Sequence, residues 1–167
     1  MTSHPNTATW AGYSGSLRAI LDEYARAIRD FESVLLSIPA DRYEAKTVLS
    51  DKDFAGIHGI AEHTIGAAHN YVNYITDALD KTDRGYQERT FDFATPQAAV
   101  ASLWEAFGRM VDVLGRIRDW TEEQQETTKF VTRWKQEYDI EQMLEHAIVH
   151  ILRHRRQLER WRDVALV

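Results

Sequence analysis

Apolar residues recur at spacings of three and four along four long stretches of this 167-residue chain, and only three prolines, at positions 5, 39 and 96, punctuate it. That pattern leaves few options. A stripe of period 3.6 makes one side of a helix apolar, and such a helix is stable only against other helices that bury the stripe. The first stretch, Ser14 to Ser37, carries Leu17, Ile20, Leu21, Tyr24, Ile28, Phe31 and Leu35 on one side. The polar segment Ile38 to Asp53 reads as a loop whose Asp51-Lys-Asp53 end caps a second helix, Phe54 to Leu79. The charged run Asp80 to Arg89 is a second loop. Thr95-Pro96 offers a cap followed by proline at the first helical position, which opens a third helix, Pro96 to Trp120. Thr121 to Tyr138 is polar, with no clean alternation, and reads as loop. Asp139 caps a fourth helix, Ile140 to about Asp163, with Glu141 and Glu145 near its start and arginines near its end, as the helix dipole prefers. The expectation is an all-α four-helix bundle with long connecting loops, a single domain over residues 1–167.

Composition narrows the function. With 26 acidic against 20 Lys plus Arg residues the net charge is -6, which argues against nucleic acid or an anionic membrane as the main partner. The chain contains no cysteine, so it has no thiolate nucleophile, and any metal must be held by histidine and carboxylate. Met1-Thr-Ser-His-Pro-Asn-Thr lacks a basic and an apolar leader segment, and no apolar run is long enough to span a bilayer; a soluble cytoplasmic protein is expected.

The fourth helix carries histidine every four residues, at His146, His150 and His154. Residues four apart lie about one turn up the same face, close enough for two imidazoles to share one ion. His150 and His154 fall inside the apolar stripe of Met143, Ala147, Leu158 and Trp161, whereas His146 falls on its edge as a flanking group. On the second helix His63 groups with Gly56, Ile60, Ala67, Tyr71, Tyr74 and Ala78 and is expected to face the core; His58 and His69 fall elsewhere and, with His4, read as surface residues. Ile65, Val72 and Leu79 make the back of that helix apolar too, which a dimer interface would explain.

A lone buried histidine is usually a core residue bonded to backbone. Two more at i and i+4 inside another apolar stripe are hard to explain by packing, because each ring nitrogen needs a partner in a dry environment. Three neutral imidazoles without thiolate suit Zn, Ni, Fe(II) or Mn, and three protein ligands leave a coordination position open, the catalytic arrangement. A di-iron carboxylate site needs Glu-x-x-His on two helices, and neither Glu62 nor Glu145 has a histidine three residues on.

The arrangement of Gly59-Ile-Ala-Glu-His63 on the second helix with His150-x-x-x-His154-Arg-x-Gln157 on the fourth resembles the DinB-like (DinB/YfiT) superfamily of four-helix-bundle metalloproteins, over nearly the whole chain. The resemblance implies His63, His150 and His154 as ligands of a divalent metal, a homodimer, and activity as a metal-dependent hydrolase or as a transferase using a low-molecular-weight thiol such as bacillithiol or mycothiol. The chain departs from the family pattern at Arg156, where glycine is usual; helical phase turns that position away from the site, so the departure bears on a helix or subunit contact.

A bound metal would lower the pKa of a water or a thiol and polarise an electrophile, and an external thiol would supply what the sequence lacks. The small-molecule substrate stays open at this point. The other class of reading is a non-catalytic bundle, with a structural or lapsed metal site, that binds a small molecule or a partner. A DNA role, suggested only by the family's name, conflicts with the acidic charge. The arginines at 153, 155, 156, 160 and 162 read first as a solvated face, with Arg153 and Arg160, on the His146 side, placed to hold a substrate anion. Tyr71, Tyr74, Trp104, Trp134 and Trp161 read first as core and second as pocket wall, and Gln157 equally as a partner that orients an imidazole or as a residue that touches water.

Overall fold

The computed structural model describes residues 9–13, 15–45, 56–82 and 91–163. Four long helices dominate: α1 (Gly15–Leu36), α3 (Gly56–Asp80), α4 (Pro96–Leu114) and α6 (Ile140–Asp163). Between them lie α2 (Ala40–Glu44), a 3₁₀ turn (Gly115–Ile117), α5 (Glu122–Thr127) and a two-stranded hairpin, β1 (Phe130–Val131) with β2 (Glu137–Tyr138). The long helices close a ring in which α1 packs on α4 and α6, and α3 packs on the same two from the other side. The all-α bundle is therefore as expected.

The stripes meet along the ring's axis. Leu17, Leu21, Ile28, Phe31 and Leu35 of α1 are buried with Leu103, Phe107, Met110 and Leu114 of α4 and Ile140, Met143, Leu144, Ala147 and Ile151 of α6. Trp10, ahead of α1, is fully buried with its ring edge-on to Phe107 at 5.3 Å, and its indole N–H donates to Asp22 at 2.8 Å. Large rings of this kind supply much of the core's hydrophobic stabilisation, at roughly 1.5–3 kcal/mol for each fully buried side chain.

The caps behave as the sequence implies. Thr95 accepts from the Ala98 amide with Pro96 at the first helical position, and Asp139 accepts from the Gln142 amide at 2.8 Å while Gln142 returns a bond to the Asp139 amide. The expected cap at Asp51-Lys-Asp53 and start at Phe54 lie outside the described residues.

Three connections differ from expectation. Residues 40–44 form a short helix rather than loop, because Tyr43 is buried and its hydroxyl donates to the Phe93 carbonyl at 3.0 Å. The third helix ends at Leu114 rather than Trp120: the Tyr13 hydroxyl donates to the Val111 carbonyl at 2.7 Å, and the chain tightens into the 3₁₀ turn at Gly115, where a β-carbon would meet that hydroxyl at 3.0 Å. Thr121 to Tyr138 is structured. A capping box between Thr121 and Gln124 starts α5, and the turn of the hairpin closes through bonds between Thr132 and Gln136, with Lys135 at a φ of 67°. No helix among the described residues is long and apolar enough to cross a membrane.

Candidate metal centre

His150 and His154, one turn apart on α6, lie with ring centroids 4.4 Å apart, and His63 of α3 joins them at 5.0 and 4.9 Å. The Nε2 atoms of His63 and His150 are 3.1 Å apart. One ligand atom from each of the three rings lies within 4.8 Å of the others. Three nitrogens on one tetrahedral ion at about 2.0–2.1 Å stand about 3.3 Å from one another, so the His63–His150 pair is close to that spacing, with the third nitrogen within 4.8 Å of both.

Burial is graded across the trio. His154 is 1% exposed at the floor, His150 is half-buried, and His63 is exposed at the rim. The expectation that His63 faces the core is thus corrected. Helix α3 is covered from two sides, by α4 and α6, so its buried arc is wide, running from Ile60 and Tyr71, roughly 60–80° around the helix from His63, through Ile57, Ala68 and Ala61 to Val72 and Ile65, roughly 180–200° around. His63 stands at the edge of that arc, where α3 meets α6. The apolar back of α3, which would otherwise require a partner molecule, is covered within the chain: Ile65 and Val72 are buried and α4 packs there.

The donor set suits a cation. His154 Nδ1–H donates to the Gln157 side-chain Oε1 at 2.9 Å, which leaves the Nε2 lone pair of this ring for the cluster. Burial, followed by the neighbouring His154 and His63 rings and then Arg153, pushes the His150 pKa down to about 2, so this ring is neutral near pH 7. Its Nδ1 is buried and has no hydrogen-bond partner among the described residues. Two neutral imidazoles whose Nε2 atoms face each other can share only one proton, whereas a cation uses both lone pairs.

Around the trio stands an aromatic wall. His146 lies between Trp134, stacked on it at 5.7 Å, and Tyr71, edge-on at 5.4 Å, while its Nδ1 and the Tyr138 hydroxyl share a hydrogen bond of 3.2 Å. Burial lowers the His146 pKa, with Arg153 adding to the effect. Tyr71 also lies edge-on to His150 at 5.7 Å, and burial raises its phenol pKa. The hairpin carries this wall: Tyr74 stacks on Phe130 and meets Trp134 edge-on, and its hydroxyl accepts from the Arg133 amide at 3.1 Å. Trp104 sits apart in the core, its indole N–H donating to Glu32 at 2.9 Å.

Two histidines read as surface residues are not. His69 is 2% exposed, stacked on Phe91; Arg109 donates to its Nδ1, so its Nε2–H donates to Ser102. That tautomer makes His69 a donor to the serine and unable to act as its base. His58 is half-buried, its Nε2–H donating to the Phe93 carbonyl at 3.1 Å, with Glu62 near Nδ1 at 3.7 Å and Asp92 near Nε2 at 3.5 Å. His58, Glu62 and Asp92 form a second grouping that a cation could bridge, though Asp92 is 91% exposed and the two carboxylates approach opposite nitrogens. Neither arrangement was visible in the sequence, because each needs a partner from the segment around 91–93 or from α4. His4 lies outside the described residues.

A model of the DinB family matches residues 13–162 of the chain. Among solved structures, the crystal structure of the conserved protein of locus from Enterococcus faecalis superposes with a TM-score of 0.54, covering 89% of this chain and 96% of that one at 16% identity; a likeness at that level speaks for the fold. No curated protein matches.

Proposed function

The chain belongs to the DinB family, and on that premise we propose that it is a metal-dependent enzyme in which His63, His150 and His154 hold one divalent ion, Zn, Ni, Fe or Mn. Its substrate is a small molecule, and the nucleophile is either water, as in a hydrolase, or a low-molecular-weight thiol, as in a transferase. The observation that carries the reading is the convergence of three imidazole ligand atoms within 4.8 Å, from two helices far apart in the chain. When bound, the ion supplies Lewis acidity that brings a water or thiol pKa toward neutrality and polarises an electrophile.

The chain's own residues supply the rest. Gln157 fixes the tautomer of His154, and burial keeps His150 neutral. His63 at the rim leaves one side of the cluster accessible from solvent, as an open coordination position requires. Tyr71 and Trp134 form an apolar wall that excludes water from the His146 side. With no cysteine in the chain, any thiol used in the reaction comes from a second substrate.

The test is elemental analysis of the purified protein beside its His150→Ala and His154→Ala variants, followed by assays of thiol consumption and ester hydrolysis with each metal restored. Metal in the wild type and not in the variants, with turnover of either kind, supports the reading. Equal metal content in all three overturns the ligand assignment, and metal without turnover favours a non-catalytic binding bundle.

A further inference from the structure

Several arginines near the end of α6 serve the fold. Arg155 pairs with Asp30 of α1 at 2.9 Å and with Glu159 at 3.4 Å, and Arg162 reaches Ser37 while its carbonyl accepts from Arg42. Arg153 differs from these. It is exposed, and among the described residues no carboxylate pairs with it. It follows His150 by three residues and His146 by seven, so it lies on the same ridge of α6 as both rings. That spacing sets it one turn beyond His150 and two turns beyond His146, the ring against which Trp134 and Tyr71 lie.

We propose that Arg153 is a substrate-binding residue: the small molecule that reaches the three histidines carries a carboxylate, which the Arg153 guanidinium holds while the body of the molecule lies against the exposed Trp134. The inference rests on the metal-site reading above and adds the substrate class. A lone guanidinium presents two parallel N–H donors that match one carboxylate in a bidentate pair. Trp134, 42% exposed on the hairpin, stacks on His146, two helical turns before Arg153 on α6, and leaves apolar surface open to solvent there.

The experiment is a cycle of two probes and two proteins, read by isothermal titration calorimetry near neutral pH on zinc-loaded protein and again after chelator treatment. The probes are N-acetylcysteine and N-acetylcysteinamide, which share the thiol and differ in the carboxylate. The ratio of their affinities in the wild type is compared with the ratio in Arg153→Gln, so that intrinsic differences between the thiols cancel. The expected result is a loss of carboxylate preference of about tenfold in Arg153→Gln, with the amide's affinity unchanged and Arg156→Gln behaving as the wild type. An unchanged ratio in Arg153→Gln overturns the proposal, as does an equal loss in Arg156→Gln. Protein that never retains zinc, yet shows an Arg153-dependent ratio, supports the carboxylate site and overturns the metal reading; zinc retained with no Arg153 dependence does the reverse.

Discussion

The Nε2 atoms of His63 and His150 stand 3.1 Å apart although 87 positions separate them in the chain. One ring sits at the protein's rim and the other is half-buried beside the floor made by His154. That gradient decides which substitutions can test the site without disturbing the fold around it.

His63→Ala is expected to weaken metal binding by more than the roughly 10–100-fold carried by an orienting residue, and to leave the thermal midpoint of the metal-free protein nearly unchanged. His154→Ala loses the metal and the midpoint together, because it opens a hole in the packed interior. Chelator competition and thermal scans on the stripped proteins measure the two effects separately. Retention of full affinity in His63→Ala would remove this residue from the ligand set.

Gln157→Leu removes the acceptor of the His154 Nδ1–H and keeps the side chain's size. The freed ring can take the other tautomer or turn, so metal affinity should fall by roughly 10–100-fold while the helix remains intact. Gln157→Glu, which retains an acceptor, should keep most of the affinity. A competition titration in which Leu and Glu behave alike would show that the bond does not orient the ligand.

Acid should destabilise the metal-free protein through His150. Its folded pKa, about 2, lies below the ordinary 6.5 because burial and then its histidine neighbours oppose the charge. Below about pH 6.5 the unfolded chain therefore takes up a proton that the folded chain refuses. The contribution is complete above that pH and is lost progressively as the pH falls toward 2; the lowered pKa of His146 acts in the same direction. Urea midpoints from about pH 7 to about pH 5 should fall in the wild type and fall less in His150→Asn.

Phe107→Ala should cost about 3–5 kcal/mol of stability. Phe107 is buried and meets Trp10 and Tyr24 edge-on at 5.3 Å and Trp104 at 5.7 Å, so truncation leaves three large rings around a void. Equilibrium denaturation measures the loss, and a change below about 1 kcal/mol would show that the core repacks there.

What lies within one helix could be read from the residues alone. The pair His150 and His154, the bond from His154 to Gln157, and the caps at Thr95 and Asp139 all connect positions three or four apart, and helical geometry places such positions together whatever surrounds them. The four apolar stripes likewise determined that long helices would pack as a bundle, because no other arrangement buries them. A helical wheel gives phase, however, and cannot say how many neighbours a helix has. Covered by α4 as well as α6, α3 buries His69 and leaves His63 at the rim, the reverse of what its stripe suggested. The hairpin was hidden for a related reason: strands of two residues carry no periodicity, and this one packs on Tyr74 of α3 and His146 of α6. The sequence by itself singled out the three histidines that converge and the side of α6 that His150 and His154 occupy. Only the tertiary structure decided which ring is buried, which is open to solvent and what walls the cluster, since burial belongs to the packing of several helices and not to any one of them.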